Sequence, residues 1–171
     1  GTDNHTVKIN GATGPVMFGF STSPNIINNQ SDVAGAQTIQ AADVTLATST
    51  HAAADINQGT NNNIVYITQM SVATEPVAVN NIQFTLTGTL DANDLTLITI
   101  YFNATAPTIA GSTGLTNTVA TFASGHAYSI NFFNAMAAGT SGYYIIAVNV
   151  NAGGTDNHTV KINGATGPVM F

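Results

Sequence analysis

Short runs of apolar and β-branched residues, separated by Gly, Asn, Asp and Pro, make up most of the chain. In residues 82–87 (Ile-Gln-Phe-Thr-Leu-Thr), apolar and polar side chains alternate with a period of two. This alternation predicts a strand with Ile82, Phe84 and Leu86 on one face. Three further runs are richer in β-branched and aromatic residues, which is typical of more deeply buried strands. They are residues 64–70, 95–102 and 143–150.

Weaker strand patterns complete the prediction of an all-β protein. They occur near residues 43–47, 76–80, 117–123, 126–132 and 159–163. Strong helix formers such as Glu, Lys and Arg are almost missing, and the short alanine clusters do not sustain a long helix. Several short strands at this spacing predict an antiparallel, immunoglobulin-like β-sandwich. Its predicted core includes Ile64, Tyr66, Phe84, Leu86, Ile98, Ile100, Ile145 and Val148.

The two ends of the chain carry the same eighteen residues. Residues 1–18 reappear without a substitution as residues 154–171, an offset of 153 residues. A period of this length corresponds to a whole domain, so the repeat predicts an array of beads rather than a solenoid of thin repeats. We therefore expect residues 1–42 to be the C-terminal tail of a preceding repeat plus a linker. Residues 43–171 then form the β-sandwich repeat.

Several segments resemble the repeats of giant Bacteroidota cell-surface proteins, which include gliding adhesins exported through the type IX route. The resemblance is carried by residues 43–48 (Asp-Val-Thr-Leu-Ala-Thr) and 58–66 (Gln-Gly-Thr-Asn-Asn-Asn-Ile-Val-Tyr). Residues 90–101 and 138–148 are similar to the same pattern. These motifs consist of turn residues and buried strands. The resemblance therefore implies a tandem sandwich on a cell surface and no catalytic residue.

Composition narrows the range of partners. Only 6% of the residues are charged, the two lysines Lys8 and Lys161 are the only basic residues besides histidine, and the net charge is −6. A nucleic-acid-binding surface needs clustered Lys or Arg, so nucleic acid is not an expected partner. The chain has no cysteine, which excludes disulfides and thiolate metal sites. No apolar run is long enough to predict a membrane-spanning segment.

The densest group of oxygen-bearing side chains lies in residues 91–94. Asp91, Asn93 and Asp94 stand within four residues at a junction between two predicted strands. Calcium prefers such hard oxygen ligands, so these three residues are the predicted metal site. The segment lacks the glycine and the distal glutamate of an EF-hand loop. An Asx turn, in which the side chains bind backbone N–H groups, is therefore the alternative.

The four histidines show no catalytic or metal-binding pattern. None has the spacing of His-x-His or His-Glu-x-x-His, and each is expected to be solvated or hydrogen-bonded at a strand end. No serine lies in a Gly-x-Ser-x-Gly motif. We therefore expect no enzymatic activity and no cofactor other than calcium.

These observations favour a structural repeat of an extracellular, cell-surface fibre or adhesin, whose partners are neighbouring copies of the same repeat. Two alternatives remain open. Separate subunits could polymerise by donating a strand from residues 1–18 or 154–171 to a neighbour. A carbohydrate-binding module would need exposed aromatic side chains. The chain has no Trp, and Tyr66, Tyr101 and Tyr143 fall within strands that the pattern predicts to be buried.

Overall fold

The computed structural model describes residues 6–7, 37–49, 51–118, 120–163 and 169–171. The chain divides into two compact units, Gly1–Ala41 and Ala42–Phe171. In the first unit, strand β1 (Thr6–Val7) pairs antiparallel with β2 (Gln37–Thr38), with Val7 opposite Gln37. Ile9, which the sequence places on the same strand as Val7, lies outside the described residues.

The second unit is a β-sandwich of two antiparallel sheets, and no helix occurs in the described residues. The larger sheet has five strands. In spatial order they are β3 (Val44–Ser49), β4 (Asn63–Val72), β9 (Thr140–Val150), β6 (Leu95–Asn103) and β7 (Thr113–Thr118).

The smaller sheet has β5 (Val77–Gly88) at its centre. On one side β5 pairs with β8 (Ala127–Met136). On the other side it pairs first with β10 (Val160–Asn163) and then with β11 (Val169–Met170). Both short strands run antiparallel to β5, so the repeated segment 154–171 provides this edge of the sheet. The smaller sheet is therefore three strands wide and the larger one five.

The alternating residues of β5 meet the larger sheet in a shared core. Ile82, Phe84 and Leu86 are all buried, as the period-two pattern predicts. Of the eight predicted core residues, Phe84, Leu86, Ile98, Ile100, Ile145 and Val148 are buried. Ile64 and Tyr66 are only half-buried. They lie in the first half of β4, where the pairing with β9 shifts register between Ile64 and Tyr66.

Three predicted segments differ from the observed strands. Residues 76–80 and 82–87 form one continuous strand, β5, with an irregularity in its pairing to β8 between Val79 and Asn81. The strand predicted at 117–123 ends at Thr118. Phe122 nevertheless is fully buried and contacts the Tyr128 ring at a centroid distance of 5.6 Å. Phe122 packs in the core from a loop. The sequence pattern does not distinguish such a buried loop residue from a buried strand residue.

No helix in the described part of the chain has the length and hydrophobicity needed to cross a bilayer.

Candidate functional site

Asp94, the one charged side chain among the buried residues of the described chain, lies where the repeated segment joins the sandwich. The turn between β5 and β6 contains Asp91 and Asp94, and the segment that leads into β10 contains Thr155 and His158. We call these four residues the Asp94 cluster. Asp94 has a side chain that is only 8% exposed, whereas the His158 side chain is 28% exposed.

Local turn chemistry positions the two aspartates. Asp91 Oδ1 accepts a hydrogen bond from the backbone N–H of Asn93 at 2.8 Å, and Asp94 N–H donates to the carbonyl of Asp91 at 3.3 Å. This is the Asx turn that the sequence offered as the alternative to calcium. Because the turn is tight, the Asp94 carboxylate points back and accepts from Asp91 N–H at 2.7 Å.

A second turn brings the repeated segment to the same carboxylate. Asn157 has a φ of 61°, a left-handed conformation that asparagine tolerates better than most residues. The reversal at residues 156–157 lets residues on both sides of it reach Asp94. Thr155 N–H donates to Asp94 Oδ1 at 2.7 Å, and His158 Nδ1 lies 2.7 Å from Asp94 Oδ2. Thr155 Oγ1 also donates to Asp91 Oδ2 at 3.3 Å.

The electrostatics of the cluster favour an ionised Asp94. Burial by itself raises the pKa of this carboxyl group. The backbone N–H groups of Thr155 and Asp91, together with the hydrogen bond and charge of His158, outweigh burial and hold the Asp94 pKa below its usual range. The folded state therefore favours the carboxylate, and the carboxylate holds the repeated segment.

The backbone just before β10 lies close to the backbone at the end of β5. Thr89 and Leu90 N–H groups both donate to the carbonyl of Thr159, at 3.1 and 3.2 Å. Gly88 has a φ of +119°, and a Cβ at this position would lie 2.2 Å from the Thr159 carbonyl oxygen. Only glycine allows the two backbones to approach this closely.

A pocket of about 220 Å³ lies beside the cluster. It is lined by residues 56–58, by Leu90, Asp94, Leu95 and Val150, and by residues 154–160. Within the described lining, Thr155 and Thr159 are the only residues with a hydroxyl group. The Thr155 hydroxyl donates to Asp91, and the Thr159 hydroxyl accepts from the backbone N–H of Thr89.

The structure brings together two of the three predicted calcium ligands. Ligand atoms of Asp91, Asp94 and His158 all lie within 4.8 Å of one another, and Asn93 contributes a backbone N–H to Asp91. The residue that sequence reasoning missed is His158. It lies 64 residues from Asp94, and no local motif connects the two. Its nitrogen is not the hard oxygen ligand that calcium prefers, and both Asp94 oxygens already accept N–H groups.

No family model, curated protein or solved structure matches this chain. The fold and the site together define an antiparallel β-sandwich in which a duplicated terminal segment forms an edge strand and is attached through a buried carboxylate.

Proposed function

We propose that this chain is a structural repeat of an extracellular cell-surface fibre or adhesin, and that it has no enzymatic activity. The observation that carries the proposal is the distribution of the duplicated sequence. Residues 154–171 belong to the sandwich unit, where β10 and β11 complete the β5 edge, and residues 1–18 belong to a different compact unit. This arrangement is expected in a tandem array in which every domain ends in the same eighteen-residue segment, so that the first copy belongs to the preceding domain.

The contacts of the repeated segment support a mechanical role. Asp94 attaches the start of the segment, and four residues of β10 pair with residues 85–88 of β5. Force applied to the C-terminal end of β10 would therefore be borne by several backbone hydrogen bonds and by a buried carboxylate. The low charge of the chain leaves little surface electrostatics for salt to screen. Because the chain has no cysteine, the unit has no thiol that could be oxidised to a disulfide.

The test is the intact mass of the polypeptide purified from its native source. Many multiples of one 153-residue period are expected for a covalent array. A mass of a single period would overturn the covalent array.

One observation favours a second candidate, assembly of separate subunits by strand exchange. The same sequence pairs with different partners in its two copies, since Val7 lies opposite Gln37 and Val160 lies opposite Gly88. A segment that accepts either partner is suited to donation between subunits. In this case the native polypeptide has the mass of one period, and filaments reassemble from purified subunits.

A further inference from the structure

The β5 edge is only partly occupied by the repeated segment. β10 and β11 pair with residues 83–88, and β11 ends with Met170 opposite Gln83. Within the described residues, no strand pairs with residues 77–82 on this side, although β8 pairs along the other side. The backbone of residues 77–82 lies in line with β11 on this side of β5.

An apolar strip lies beside this open edge. Val79, in the open stretch of β5, shares a buried cluster with Met70 and Val72 of β4, and β3 is the edge strand of the larger sheet next to β4. Val44 is 42% exposed and Leu46 is 47% exposed. They lie opposite Val72 and Met70, both buried, so their side chains share the core-facing side of the sheet.

The last residue of the chain shows which way a continuing strand would face. Phe171 follows β11, and its ring lies 5.0 Å from the ring of the buried Tyr144. Phe171 therefore points into the sandwich while it stays 36% exposed. In a continuing strand the next residue would point outward and the one after it would point inward again.

The duplicated sequence identifies the residues suited to that position. Phe18 is the copy of Phe171, and it is followed by Gly-Phe-Ser-Thr-Ser-Pro in residues 19–24. Phe20 is two residues beyond Phe18, so it is the residue that would turn inward toward Leu46 and Met70. Pro24 lacks the N–H group that a paired strand needs, which ends the suitable segment at Ser23.

We propose that the groove between β3 and the open edge of β5 is the docking site for the sequence of residues 19–23, placed directly after a copy of the eighteen-residue segment. Each sandwich is then completed by the first residues of the connection to the next repeat, with Phe20 as the anchor. This inference rests on the tandem arrangement in the proposed function. Beyond that arrangement, it names the segment of the connection that stabilises the preceding sandwich.

The experiment extends the full chain beyond Phe171 by Gly-Phe-Ser-Thr-Ser-Pro, the sequence of residues 19–24. The matched control carries the same extension with serine in place of the copied phenylalanine. Burial of one phenylalanine side chain should raise Tm by about 5 °C over the control. Hydrogen exchange of the amides in residues 77–82 should also slow in the extended chain, because these groups become paired.

A substitution in the groove separates docking from a general effect of the extension. Leu46→Thr should change Tm little in the unextended chain, because Leu46 is half exposed there. The same substitution should remove at least half of the gain in the extended chain. Equal Tm values for the phenylalanine and serine extensions, or unchanged exchange in residues 77–82, would overturn the proposal.

Size-exclusion chromatography should find the extended chain monomeric. A gain in Tm that appears only with dimerisation would also overturn the proposal, because the segment would then be docking on another molecule. These results do not depend on the intact mass of the native polypeptide. A failure of the docking site is therefore distinguishable from a failure of the proposed array.

Discussion

Replacing Asp94 with alanine should weaken the attachment of the repeated segment and destabilise the sandwich. The carboxylate accepts the backbone N–H groups of Thr155 and Asp91, each at 2.7 Å, and binds His158. Hydrogen bonds to charged acceptors contribute about 1.5–3 kcal/mol each, so the two backbone bonds together contribute about 3–6 kcal/mol. Water from the adjacent pocket can hydrate the freed N–H groups and offset part of this loss. We expect Asp94→Ala to lower the free energy of unfolding by about 2–4 kcal/mol.

The same carboxylate should make stability depend on pH at the acid end. The Asp94 pKa is lower in the folded protein than in the unfolded chain, so the folded state binds fewer protons there. The stability that it contributes is complete above the unfolded pKa of about 4 and is lost as the pH falls through the folded pKa. Asp94→Asn cannot ionise, so its stability should fall less than that of the unaltered protein over this range.

Urea unfolding followed by far-ultraviolet circular dichroism measures both effects. His51 supplies a matched control, because it is an exposed histidine in the same unit as His158. His158→Ala should cost about 0.5–1.5 kcal/mol through its bond to Asp94. His51→Ala makes the same chemical change at an exposed position and should cost under about 0.5 kcal/mol.

Two outcomes would refute the reasoning. A loss below about 0.5 kcal/mol for Asp94→Ala would mean that the buried carboxylate does not hold the segment. Equal losses for His158→Ala and His51→Ala would mean that the Asp94 contact is not the cause.

Three further predictions address the core, the metal and the close backbone contact. Phe84→Ala should cost about 3–5 kcal/mol, because Phe84 is only 4% exposed, and a cost under about 1 kcal/mol in urea unfolding would contradict its placement in the core. If Asp91, Asn93 and Asp94 bind calcium, thermal melts in calcium and in chelator should differ, and Asp94→Ala should abolish the difference; identical melts of the unaltered protein would remove the calcium hypothesis. Gly88→Ala should lower Tm by at least about 5 °C, because a Cβ would overlap the Thr159 carbonyl oxygen, and an unchanged Tm would show that the backbones are not in close contact.

Strand positions in this protein could be predicted because the signal for them is local. The alternation in residues 82–87 places every second side chain on one face, and Ile82, Phe84 and Leu86 are buried as a result. The runs at 95–102 and 143–150 lie within β6 and β9 for the same reason. A local pattern does not show whether a residue lies near the centre of its sheet or next to a β-bulge. Ile64 and Tyr66 flank a shift in strand register and are therefore less buried than predicted.

The all-β class, most of the core and the existence of the repeat can be predicted from the sequence alone. Each of these is visible within a short window or by direct comparison of two segments. The meeting of His158 and Thr155 with Asp94 depends on the tertiary fold, since 61 to 64 residues separate them along the chain. The exposure of Val44 and Leu46 on β3 depends on it as well. Sheet width depends on how many strands pair on each side, and that is a property of long-range packing rather than of any local pattern.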